Sequence, residues 1–130
     1  MQFIQIKETS LYVFSLENSK SFYNGLLGLE IISEAPGRHI FFRAGTSILL
    51  CFLKEATLSD KTLPPHGGSG QIHIAFEVEI ENYEQARKEI QLKGIKIEHE
   101  HTWPGGFKSF YFRDPDDHLL EIVQVGMWDS

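Results

Sequence analysis

Hydrophobic and polar positions change rhythm along this chain in an order that occurs twice. Residues 4–14 alternate, with Ile4, Ile6, Leu11 and Val13 at apolar positions, as a half-buried strand requires. Ser15 or Asn18 can cap the helix that follows. There Phe22, Tyr23 and Leu26 recur at turn spacing, and Gly28 supplies a left-handed end. Residues 30–33, 38–43 and 48–53 then read as three strands, divided by turns at Ala35-Pro36-Gly37 and Ala44-Gly45-Thr46. From Glu55 to Gly70 the chain predicts a loop, because Leu63-Pro64-Pro65-His66-Gly67-Gly68-Ser69-Gly70 is too rich in Pro and Gly for helix or central strand. The second pass opens with a strand at His73. Asn82, with Gln85 three residues on, matches a capping box. Tyr83, Ala86 and Ile90 then form one apolar helical face, with Glu81, Glu84, Arg87, Lys88 and Glu89 solvated, and Gly94 closes the helix. Residues 95–101, 107–113 and 119–125 complete a second β-α-β-β-β.

The two passes resemble each other closely in spacing and residue type. Glu8 precedes Gly28 by 20 residues, and His73 precedes Gly94 by 21. Phe41-Phe42-Arg43-Ala44-Gly45-Thr46-Ser47-Ile48-Leu49-Leu50-Cys51 is similar to Tyr111-Phe112-Arg113-Asp114-Pro115-Asp116-Asp117-His118-Leu119-Leu120-Glu121. A repeat of this kind dictates architecture. It predicts one domain over residues 1–130, with module one at about 2–55, a linker at 56–70 and module two at about 71–127. It also sets Glu8, His73 and Glu121, all metal-ligand residue types, at equivalent points of the two modules.

Composition narrows the function without naming it. At 130 residues the chain can bury a core without disulfides. Its 42% hydrophobic and 23% charged residues are ordinary for a globular protein. A net charge of −6 with no basic block disfavours nucleic acid and anionic membrane as partners. The single cysteine, Cys51, fits a reducing compartment, and no apolar run approaches spanning length, so a cytoplasmic location is expected.

Three motifs carry a resemblance over nearly the whole chain. They are Leu16-Glu17-Asn18-Ser19-Lys20-Ser21-Phe22-Tyr23 with Leu26-Leu27-Gly28-Leu29; Gly70-Gln71-Ile72-His73-Ile74-Ala75-Phe76; and Phe112-Arg113-Asp114-Pro115-Asp116-Asp117-His118-Leu119-Leu120-Glu121. Together they resemble the vicinal oxygen chelate superfamily of glyoxalase I, bleomycin-resistance proteins and extradiol dioxygenases. The resemblance implies an α+β fold, two paired β-α-β-β-β modules forming a curved half-open sheet. It implies a divalent metal (Mn, Fe, Zn, Ni or Co) held by Glu8, His73 and Glu121. It also implies a homodimer and a small-molecule substrate whose adjacent oxygens the metal holds. Two departures from the family pattern stand out. Glu8 occupies a position often held by His, and the usual Asp-Pro-Asp-Gly turn reads Asp114-Pro115-Asp116-Asp117, where aspartate tolerates the left-handed backbone.

One imidazole and two carboxylates suit a divalent metal with open positions for substrate. Glu121 and Glu8 are the candidates to move a proton in glyoxalase-like lyase or isomerase chemistry. With iron, dioxygenase chemistry opens instead. A metal-independent binder of antibiotics or toxins is the other class, and chelation separates it from an enzyme. By the same resemblance the last strand of module one offers a fourth ligand or lines the pocket; Cys51 aligns there without gaps, with Leu50 taking the position if the alignment slips by one. Arg38 is a candidate for an anionic substrate group, Trp103 for a cavity wall, and Tyr111 for a hydrogen bond to ligand or for core. His66 reads as solvated or as part of a lid, and His118 as a support for its turn. His99 and His101, on one face of a strand with Glu98 and Glu100 on the other, read as solvent-facing or as a second metal pair.

Overall fold

The order β-α-β-β-β occurs twice in the computed structural model, which describes residues 1–129. The chain divides into two compact units, Met1–Gly70 and the residues from Gln71 onward. In the first, β1 (Glu8–Val13) leads through α1 (Leu16–Ser19) and a π-helix (Lys20–Leu26) to β2 (Glu30–Ala35), β3 (His39–Ala44), β4 (Ser47–Leu53) and α2 (Lys54–Leu58). The sheet order is β1-β4-β3-β2, with β1 parallel to β4 and the other pairs antiparallel. Alternation assigns Leu11, Val13, Ile40, Phe42, Leu49 and Cys51 to one buried face. Tyr23 packs on Phe42 there, with ring centroids 5.5 Å apart. Ser15 accepts the Asn18 N–H at 3.1 Å, so it is the cap of α1.

Strand one starts later than the alternation at Ile4 and Ile6 predicts. β4 begins at Ser47, and Ile48 pairs with Glu8. The next rung, Ile48 N–H to the Lys7 carbonyl, is the last before β4 turns away. Phe3, Ile4 and Ile6 therefore find no ladder and stay exposed. The predicted connector also holds more order than its Pro/Gly content indicates, since its first residues form α2.

In the second unit, β5 (His73–Val78), a 3₁₀ turn (Ile80–Asn82) and α3 (Tyr83–Leu92) precede β6 (His99–Thr102), β7 (Lys108–Arg113) and β8 (Leu119–Gln124). The order β5-β8-β7-β6 repeats the first sheet, and the whole is α+β. Phe110, Phe112, Leu120 and Ile122 are buried together with Tyr83 and Ile90 of α3. Burial pushes the Tyr83 hydroxyl up to about 12, helped by the charges of Glu100 and Glu84. The predicted capping box does not form. The 3₁₀ turn already holds Asn82 in helical backbone, and its side chain makes no cap hydrogen bond, while Gln85 donates to Glu89. A cap needs extended backbone, and the upstream turn removes it.

The two closing hairpins differ by one residue. Arg43 pairs with Ile48 across the first, and Arg113 with Leu119 across the second. The longer turn carries Asp117 at φ 65°, as expected of an aspartate replacing glycine. Asp114 accepts the N–H groups of Asp116 and His118, both at 2.9 Å.

Candidate metal centre

Residues paired across a ladder share a sheet face. In the second unit that rule gathers His73 and Ala75 of β5, Leu119 and Glu121 of β8, Tyr111 of β7 and His99 of β6 on the face opposite Phe110 and Phe112. Glu121 lies between Ala75 and Tyr111 and is only 5% exposed. Such burial is unusual for a carboxylate without a partner. One of its oxygens, Oε2, is buried and accepts no hydrogen bond. The other, Oε1, stands 3.2 Å from His73 Nε2.

The second nitrogen of His73 decides what that contact means. Nδ1 lies 2.9 Å from the Leu119 carbonyl, which can only accept, so Nδ1 carries the proton. In the neutral ring, Nε2 then turns a lone pair toward a carboxylate. Two acceptors face each other until a proton or a metal cation lies between them. The donor set fits a divalent metal: ligand bonds of about 2.1 Å at an angle of about 100° put two ligand atoms about 3.2 Å apart. The Leu119 carbonyl orients the ring as an outer partner orients a metal-ligating histidine. Support for the arrangement comes from the turn, where the Ile72 N–H donates to His118 Nδ1 at 3.0 Å and His118 is buried. Ile72 precedes His73 and His118 begins the approach to Glu121, so one hydrogen bond sets the starts of both strands. His118 thus supports the turn as expected.

Other residues singled out by the sequence fall elsewhere. Glu8 is at the exposed start of β1, in the first unit. Among the described residues, no three His, Cys, Asp or Glu side chains are gathered so as to hold a metal ion. The position equivalent to Glu121 in the first unit is Leu50, opposite Phe41 as Glu121 is opposite Tyr111. Cys51 faces the other way, between Leu11 and Ile40, and is fully buried in the core. The ungapped alignment fails there because the 114–118 turn is one residue longer, so the slipped alignment holds.

Arg38 is committed within its own unit. It bonds Asp60 at 3.0 Å and His39 at 2.7 Å, and its guanidinium lies over the Phe52 ring. The Arg38 guanidinium, with the Thr62 and Leu63 N–H groups, holds the Asp60 carboxyl down to about 2. Burial, then the Arg38 charge, lowers His39. His66 packs edge-on against Phe52 and hydrogen-bonds Tyr12 at 2.7 Å, so the connector is strapped to this sheet. Trp103 Nε1 donates to Ser109 at 2.9 Å. Tyr111 is half-buried beside Glu121, and burial, with the Glu121 charge, raises its hydroxyl. His99 and His101 share the Tyr111 side of β6. Their i, i+2 spacing signalled a common face, and the register places that face on the same side as the His73–Glu121 pair.

Known proteins share this arrangement of strands. The model of the Glyoxalase/Bleomycin resistance protein/Dioxygenase superfamily matches residues 5–122. Glutathione transferase FosA of Serratia marcescens is 29% identical over 120 residues, 90% of this chain and 78% of that protein. The crystal structure of lactoylglutathione lyase from Agrobacterium tumefaciens superposes with a TM-score of 0.91 at 31% identity, covering 97% of each chain. A glyoxalase/bleomycin resistance protein/dioxygenase from Nocardioides shares the fold at 22% identity, with a TM-score of 0.75 over 95% of this chain and 85% of that one.

Proposed function

This chain belongs to the Glyoxalase/Bleomycin resistance protein/Dioxygenase superfamily, and we propose that it is a divalent-metal-dependent enzyme acting on a small oxygenated molecule, with lyase or isomerase chemistry of the glyoxalase kind. The observation that carries this reading is the buried, unpartnered Oε2 of Glu121 beside His73 Nε2. An apolar site would not keep a half-satisfied carboxylate, because leaving it unpaired costs about 1–3 kcal/mol or more. In this proposal His73 Nε2, Glu121 and Glu8 hold the ion. When bound, the ion holds adjacent substrate oxygens and stabilises the negative charge that develops on them.

The chain's own groups do the remaining work. His73 is oriented through Nδ1–H to the Leu119 carbonyl. Glu121 or Glu8 would move the proton as general base. The Tyr111 hydroxyl, kept protonated by burial, donates a hydrogen bond to substrate oxygen. The names of the relatives favour a lyase or a transferase over a dioxygenase. We also take the working form to be a cytoplasmic homodimer. In support, β1 and β5 each lie at an edge of their sheet, and an open edge calls for a cover.

Elemental analysis of the purified, untagged protein tests this directly, beside His73→Ala and Glu121→Ala. About one divalent ion per chain, lost in both variants and weakened in Glu8→Ala, is the expected result. No ion, and none taken up from Mn²⁺, Fe²⁺, Co²⁺, Ni²⁺ or Zn²⁺, sinks the proposal and leaves metal-independent ligand binding as the better account.

A further inference from the structure

We propose that His99 and His101 form a second, separate chelate for a late first-row divalent cation (Zn²⁺, Ni²⁺ or Cu²⁺). Both residues are exposed on β6, at an edge of the second sheet. They are two residues apart, so both imidazoles project from one face. Their rings lie 5.8 Å apart, centroid to centroid, and 30° from parallel. Two imidazoles bound through nitrogen to one tetrahedral ion place their centroids about 5 Å apart, given metal–nitrogen bonds of about 2.0–2.1 Å. The centroid separation therefore lies within about an ångström of that of a chelating pair, and ring rotation would turn the nitrogens onto a shared ion.

The strand that carries the pair is well anchored. Glu98 receives two bonds from Arg113, at 2.9 and 3.0 Å, and Glu100 is paired with Arg87. Glu100 lies on the face that carries Phe110 and pairs there with a helix residue, which leaves the imidazoles on the opposite side. Tyr111 flanks His99 at 5.7 Å, and Trp103 flanks His101 at 4.4 Å, so both rings are held laterally. Among the described residues neither imidazole exchanges a hydrogen bond with another protein group, so both keep a nitrogen for a ligand. Edge strands are ordinarily blunted by lysine; here the same positions carry imidazoles in a chain of net charge −6, which favours a cation. Imidazole pairs select borderline ions, with Cu²⁺ tightest.

His99 sits two strands from Glu121 through Tyr111, about 10 Å across the sheet. Two-metal centres hold their ions about 3.5–4 Å apart, so this is not the second half of the His73–Glu121 site. Two protein ligands also leave positions open for water or an anionic ligand.

Titration of the metal-free full chain with Ni²⁺ and Cu²⁺ tests the pair, read by calorimetry and by broadening of imidazole resonances with Cu²⁺. Removal of the first site by His73→Ala/Glu121→Ala should leave one ion binding, with His99 and His101 broadened together at substoichiometric Cu²⁺. In that background His99→Gln or His101→Gln alone should weaken binding at least tenfold, nearly as much as the double change, because chelation needs both rings. Equal, independent halves of the effect would overturn the chelate, as would one resonance broadening without the other. Circular dichroism matched to the parent excludes misfolding. Loss of the first site alone leaves this result intact, so the two proposals fail separately.

Discussion

The two units are built alike and finish differently. Each sheet pairs its first strand in parallel with its last, and each hairpin returns to the same partner. In the first unit the last strand offers Leu50 to the face that carries Glu8; in the second it offers Glu121 beside His73. Leucine there satisfies the burial and asks for nothing more. Glutamate leaves a buried oxygen without a donor. One repeat optimises packing at this point, whereas the other accepts a local cost. Proteins commonly break their own packing rules where function is placed.

The strongest way to break this comparison is to remove either member of the pair. His73→Ala or Glu121→Ala is expected to lower divalent-ion affinity by at least tenfold to a hundredfold, measured by competition with a chromogenic chelator. Cys51→Ser, on the core face of the other unit, should leave that affinity unchanged. A sharper test makes the second unit like the first. Metal-free Glu121→Leu should be more stable than the metal-free parent by about 1–3 kcal/mol in urea unfolding, while binding no ion at the first site. An unchanged or lower stability would mean that Glu121 has a protein partner in solution.

Smaller effects separate the units by pH. The Asp60 carboxyl is held down to about 2 by Arg38. Its contribution is complete above the ordinary carboxylate value near 4, and it is lost as pH falls from about 4 through about 2. Asp60→Asn should flatten that part of the first unit's stability profile. In the second unit the Tyr83 hydroxyl is pushed up to about 12. Stability from its neutral form is complete below about 10 and falls as pH rises through about 12, and Tyr83→Phe should remove that alkaline loss. Thermal melts across pH would check both.

Much of this was legible because periodicity and punctuation survive in a repeat. The strand and helix order, the left-handed Gly28 and Gly94 at φ 76°, and the strained Asp117 turn all follow from local chemistry. The Asp-Pro-Asp-Asp signature put Glu121 at the right depth, three residues after a histidine that proved buried. Other features depended on partners that the local pattern does not contain. Ile4 and Ile6 alternate like a strand, yet β4 begins too late in the chain to pair with them. Asn82 has the composition of a cap, but a preceding 3₁₀ turn takes its backbone. Cys51 and Leu50 could be told apart only by the length of the 114–118 turn in the other unit, through the alignment of the two hairpins. His99 and His101 showed their common face but not their neighbours.

The hydrogen bond from Ile72 to His118 has a consequence in time as well as in geometry. It holds the starts of β5 and β8 together with nothing bound, so His73 and Glu121 stand 3.2 Å apart without help from a ligand. The order of events then runs one way: folding sets the pair first, and the proposed ion, if it binds, would meet a site already built.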